Sequence, residues 1–143
     1  MKTFQQYISE IRIARHKMPQ VSSENLEDML GWLGAKGITV SRGSIDPKKL
    51  IPIQDVNFDS VKSIVTRKPE KALGKPLLIS YDNHLLDGHH RWKASVDLGR
   101  QVKFIRIHLP VLKALEAIKK YPNTEFRTKG TVPGSQYDAG LNK

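Results

Sequence analysis

The 143-residue chain contains no cysteine. That excludes disulfides, thiolate nucleophiles and cysteine-ligated zinc. It also fits a reducing compartment, so a cytoplasmic setting is expected. No apolar run approaches the roughly 20 residues that cross a bilayer, so no membrane partner is expected. Met1-Lys2-Thr3-Phe4-Gln5-Gln6-Tyr7 lacks the apolar stretch of a secretory signal. Acidic residues are few beside basic ones, 14 against 24, for a net charge of +10.

The remaining composition, 38% hydrophobic and 27% charged, is that of a globular chain long enough for one sizeable core. Up to Lys75 there are 13 basic and 8 acidic residues, and beyond it 11 and 6, so each part carries +5. The positive charge is therefore spread along the chain and not gathered in a tail. Such a field favours anionic partners, a nucleotide or nucleic acid. Oligomeric state is left open.

Periodicity sets out the elements. Phe4, Tyr7, Ile8, Ile11 and Ala14 have helical spacing, which predicts a helix over 3–16 that ends before Pro19. Ser22-Ser23-Glu24-Asn25 opens a second helix with Leu26, Met29, Leu30 and Leu33 inward, stopped by Gly34 and Gly37. Ile38-Thr39-Val40 reads as a short strand and Ser41-Arg42-Gly43-Ser44 as a turn. The stretch from Ile45 through Pro47 and Pro52 reads as irregular or edge structure. A short helix is expected over 57–65, then a polar connection over 67–74. Pro76 to Tyr81, a turn at Asp82-Asn83 and His84-Leu85-Leu86 form a hairpin. His89 to Leu98 reads as a helix stopped by Gly99, Gln101 to Leu109 as a core strand, and Val111 to Lys120 as a helix with Leu112, Leu115 and Ile118 inward. From Tyr121 the chain is polar and expected to be extended or disordered. The fold class is therefore α+β, a small mixed sheet with flanking helices. The expected division is a helical extension at 1–36, a core at 37–120 and a tail at 121–143.

Chemistry concentrates in Asp87-Gly88-His89-His90-Arg91, between the returning strand and the 89–98 helix. A helix start offers amide N–H groups and the positive end of a dipole to an anion. Gly88 lets a ligand approach the backbone, and Arg91 can grip a phosphate bidentately. His89 and His90 can donate hydrogen bonds or move protons near neutral pH. Asp87 can hold Mg²⁺, act as a base or orient a histidine; it can also be a plain helix cap. Neighbouring helical residues point about 100° apart, so His89 and His90 are poorly placed to chelate one ion.

A strand followed by Asp87-Gly88-His89-His90-Arg91 and an aromatic, opening a helix, resembles the ParB/sulfiredoxin-like superfamily. Ile45 to Pro52 looks like that family's opening strand and Pro-containing segment. Asp59 to Val65 looks like its first short helix, and Pro76-Leu77-Leu78-Ile79-Ser80 like its next strand. The resemblance implies a small α+β core that binds ATP or ADP with Mg²⁺, phosphates lying on Gly88, His89, His90 and Arg91. Sulfiredoxins carry a cysteine in this element, so sulfinic-acid reduction is excluded here. ParB clamps carry Gly-Glu-Arg-Arg in place of Gly88-His89-His90-Arg91, and no helix-turn-helix follows. The ADP-dependent serine kinase shares the Asp-Gly-His-His-Arg string. Its acidic base falls near Gln54 and Asp55, and the register between these two is open. The short, basic, cysteine-free format with a helical arm is similar to small phage proteins, which would place it in a host cytoplasm. The expected function is a ParB-like, metal-dependent nuclease or nucleotide hydrolase, with Asp87 on the metal and Asp87, His89 and His90 catalytic. The alternatives are a kinase of a small hydroxyl substrate such as free serine, and a non-catalytic, nucleotide-gated binding protein.

Overall fold

The structure, a computed structural model, describes residues 11–14, 17–67 and 69–126. Its four strands are β1 (Val40–Ile45), β2 (Leu77–Ser80), β3 (Leu85–Asp87) and β4 (Val102–Ile107), hydrogen-bonded in the order β1-β4-β2-β3. β1 runs antiparallel to β4, from Val40 opposite Ile107 to Ile45 opposite Val102. β2 runs parallel to β4, from Leu77 opposite Phe104 to Ser80 opposite Ile107. β3 pairs antiparallel with β2. The helices are α1 (Leu26–Ala35), α2 (Phe58–Thr66), α3 (Pro69–Leu73), α4 (His89–Leu98) and α5 (Val111–Lys119). The chain is thus α+β with a mixed four-stranded sheet and flanking helices, as its sequence pattern predicts.

β2 is buried at all four positions, which is why its sequence runs apolar instead of alternating. Alternate residues of the sheet feed two apolar clusters. Leu78, Leu86, Ile105 and Ile107 pack with Met29, Leu30 and Leu33 of α1 and with Ala114, Leu115 and Ile118 of α5. Leu77, Ile79, Leu85, Val102 and Phe104 pack with Leu50, and Ile45 and Trp92 close that side. Met18, Met29, Leu30, Leu33 and Tyr121 belong to the first cluster, so these flanking stretches are packed into the same core as the sheet.

Several expectations are corrected. The 41–44 stretch is not a turn but the middle of β1. Gly43 lies opposite Phe104, and a Cβ there would fall 2.9 Å from the Phe104 ring, so the glycine makes room for an aromatic across the sheet. The 67–74 connection contains α3, begun by Pro69, whose missing N–H costs nothing at a helix start. Leu112 is 59% exposed; the inward face of α5 is Val111, Ala114, Leu115 and Ile118. Of the helix expected over 3–16, residues 11–14 are not helical, and Ile13 instead donates its N–H to the Ile53 carbonyl at 2.7 Å; the others lie outside the described residues apart from these four. At the other end, Tyr121 is buried, and Gln20 and Glu125 exchange backbone hydrogen bonds at 2.7 and 2.8 Å. The rest of the tail, 127–143, lies outside the described residues.

Candidate functional site

Asp87 ends β3, Gly88 turns the chain and His89 begins α4. Gly88 has φ 95° and ψ 28°, a left-handed conformation that costs other L-residues roughly 1–2 kcal/mol. A Cβ at Gly88 would lie 2.6 Å from Leu77 Cδ2 and 2.9 Å from Arg91 Nη2. Conformation and space therefore both require glycine here. The Gly88 carbonyl accepts the Trp92 N–H at 2.8 Å, which starts the helical ladder.

Arg91 folds back beneath this turn. Its Nη1 donates to the carbonyls of Lys75 and Pro76, each at 3.2 Å. Burial lowers the guanidinium's pKa from its usual range, while the Asp87 carboxylate works in the opposite direction. The positive charge is thus held partly dehydrated against two neutral carbonyls and one carboxylate. An anion at the turn would offset the cost of that dehydration, as the Asp87 carboxylate does.

The two histidines perform a shared task. His89 Nε2 accepts the Ile53 N–H at 3.1 Å, and His90 Nε2 accepts the Asn57 N–H at 2.8 Å. The residues are 4% and 6% exposed. A ring nitrogen that accepts from an amide keeps its lone pair, so each neutral ring carries its proton on Nδ1. The divergence of consecutive helical side chains, about 100°, lets the pair reach two separate points of the facing segment. That segment is also tied to β3, since Leu85 donates to the Ile51 carbonyl and Ile51 to the Asn83 carbonyl, both at 2.8 Å. Asn57 then caps α2, its Oδ1 accepting from the Ser60 N–H at 2.9 Å.

Gln54 and Asp55 lie between the two pinned amides. Gln54 is 7% exposed, whereas Asp55 is exposed. The structure therefore brings the 53–57 segment against His89 and His90, while Arg91 reaches instead to Lys75 and Pro76. Trp92 is partly buried against the second cluster, its Nε1 donating to the Pro47 carbonyl at 2.7 Å. Among the described residues no group of three or more His, Cys, Asp or Glu gathers as a metal site. Asp87 offers one half-buried carboxylate. Mg²⁺ suits such a place only where bound phosphates and water supply most of its ligands.

Sequence reasoning missed the partners that fix the site. They are the amides of Ile53 and Asn57 and the carbonyls of Lys75, Pro76 and Pro47, and backbone groups leave no mark in residue type. Asn57 alone had a signal, an Asn directly before a helical apolar pattern. Among the described residues no helix is long and apolar enough to cross a membrane.

No protein-family model and no curated protein matches the chain. A solved structure of a Pnob8-like ParB-N domain is similar to it, at 22% identity and a TM-score of 0.43, over 57% of this chain. The matched part is 35% of that structure's chain.

Proposed function

We propose that the chain binds the phosphates of a nucleotide at the start of α4. One observation carries this reading: Gly88 is left-handed with no room for a side chain, and a dehydrated Arg91 guanidinium lies directly under it. The ten-residue helix adds the positive end of its dipole at the same point. The pairing of His89 and His90 with backbone amides favours a binding role over proton transfer. Each imidazole would have to release its amide before Nε2 could take a proton. The two bonds join the start of α4 to the 53–57 segment, so a ligand that displaced the turn would displace this segment with it. This is the nucleotide-gated binding reading.

Phosphate chemistry is the second reading, favoured by Asp87 beside the turn. In a Mg²⁺-dependent nuclease or nucleotide hydrolase, Asp87 would share the ion with the bound phosphates, and Arg91 would stabilise the charge developing on the transferred group. In a kinase of a small hydroxyl substrate such as free serine, Asp55 would be the base, because it is exposed and ionisable where Gln54 is neither.

Calorimetry with ADP, ATP and CTP, with and without Mg²⁺, tests the binding claim on the wild type and on Arg91→Ala. The wild type should bind at least one of the three, and the variant should bind it roughly tenfold or more weakly, the usual scale for a charged hydrogen bond. A melting curve for the variant separates lost binding from lost folding. Release of phosphate, or cleavage of single- or double-stranded DNA, that disappears in Asp87→Ala would establish the hydrolase reading. A folded wild type that binds none of the nucleotides would refute the proposal.

A further inference from the structure

Away from α4, helices α1 and α5 enclose an open cleft of about 250 Å³. Trp32, Ile38 and Ala117 form its apolar floor, and Lys36, Lys113 and Lys120 stand around it. Glu116 is the single acid in the lining, so the rim carries a net positive charge. The volume lies just below the range of about 300–1,000 Å³ typical of pockets that enclose a whole small molecule. It suits one flat ring with the rest of its ligand outside.

The indole is held as a platform. It meets the Tyr121 ring in a T-shaped contact, centroids 5.5 Å apart and planes at 66°. Tyr121 is itself fixed, its hydroxyl donating to Asp28 Oδ2 at 2.6 Å. One face of the indole is approached by the Lys36 ammonium, 4.6 Å from the ring centroid. Lys36 is exposed, so this cover can move aside when its charge is recruited by an anion. Lys113 and Lys120 are seven residues apart on the facing element, about 10 Å along a helix axis.

We propose that this cleft binds single-stranded nucleic acid, one base stacking on Trp32 and the flanking phosphates meeting Lys36, Lys113 and Lys120. An aromatic platform beside a line of cations is the chemistry that holds single strands without reading sequence. The chain's overall charge of +10 favours the same polyanion. An acidic protein segment is the competing occupant. It would use the lysines but has no need of an indole with an ammonium over its ring. The site shares no residue with the α4 turn, so each proposal stands or falls separately.

The test is anisotropy of labelled oligothymidylate and oligouridylate with the full chain. A Trp92→Phe variant, in which Trp32 is the remaining tryptophan, supplies a fluorescence readout. Binding should quench Trp32 emission and weaken with salt. Trp32→Ala should lower affinity roughly tenfold, the scale of one stacked base. Lys113→Glu with Lys120→Glu, both at exposed positions, should lower it further and reduce the magnitude of the logarithmic salt slope by about 1.4, for two lost phosphate contacts. A preference for one sugar tells which nucleic acid is held. The proposal is overturned if an abasic strand or oligoglutamate binds as tightly and quenches as much as the oligonucleotides. It is equally overturned if the double lysine variant, folded by its melting curve, binds like the wild type.

Discussion

Gly88 bears two constraints at once, and Gly99 at the other end of α4 bears only one of them. Both have positive φ, 95° and 67°, but a Cβ at Gly99 would meet nothing within 4 Å. Gly99→Ala should therefore cost about 1–2 kcal/mol, for the backbone alone. Gly88→Ala should add an overpacking cost of about 1–3 kcal/mol against Leu77 and Arg91. Urea unfolding of the two variants checks this, and equal losses would contradict the crowding at Gly88. His90→Ala leaves the Asn57 amide without its acceptor, an expected loss of about 1–3 kcal/mol. Faster hydrogen exchange at Asn57 should accompany it; unchanged exchange would mean the imidazole does not hold that amide. The Asp87–Arg91 cluster was legible as residues of unusual chemistry in one place. That its two histidines accept from Ile53 and Asn57 was not, because the donors are main-chain amides more than thirty residues away.

At the scale of elements, the β2–β3 hairpin carries an acid-sensitive staple. The Asp82 carboxylate accepts from the Ser80 hydroxyl, stands 3.3 Å from His84 Nδ1 and accepts the Val111 N–H at 3.4 Å. Partial burial raises its pKa, but Ser80, His84 and the Val111 amide together bring it below the ordinary value. The folded state then binds this proton less readily than the unfolded chain. Asp82 contributes stability above the unfolded value of about 3.9 and loses it as pH falls through the lower, folded value. Asp82→Asn should remove that part of the acid sensitivity, seen as a flatter dependence of the urea midpoint on pH below about 4. An unchanged dependence would mean that the carboxylate is no staple. Elements set by local signals were legible: α4 spans His89–Leu98 and Gly99 stops it, as the pattern predicts. β1 was misread across Ser41–Ser44 because its polar, glycine-containing sequence is strand only through pairing with β4, about sixty residues on. Leu112 was misplaced because a period of three suits it as well as Leu115, and only the packing of Val111 and Ala114 decides the face.

At the scale of the molecule, α1 and the residues around Tyr121 complete the sheet's core. Leu33 is fully buried in the cluster that contains Ile105 and Ile107. Leu33→Ala should cost about 2–5 kcal/mol and lower the stability of the whole fold in one transition. A separate early transition for the N-terminal segment would show instead that α1 unfolds by itself. The α+β class was legible from element order, but the partnership of the flanking stretches was not, since composition cannot say what covers an apolar helix face.

The phosphate site proposed above lies at one point of the fold, the start of α4. Amide chemical-shift mapping with Mg²⁺ and ATP, ADP or CTP addresses that point directly. The largest shifts should fall on Gly88 to Trp92, with secondary changes at Ile53 and Asn57 as the histidine-held segment responds. Shifts confined to other surfaces, or none at saturating nucleotide, would contradict a phosphate site at this turn.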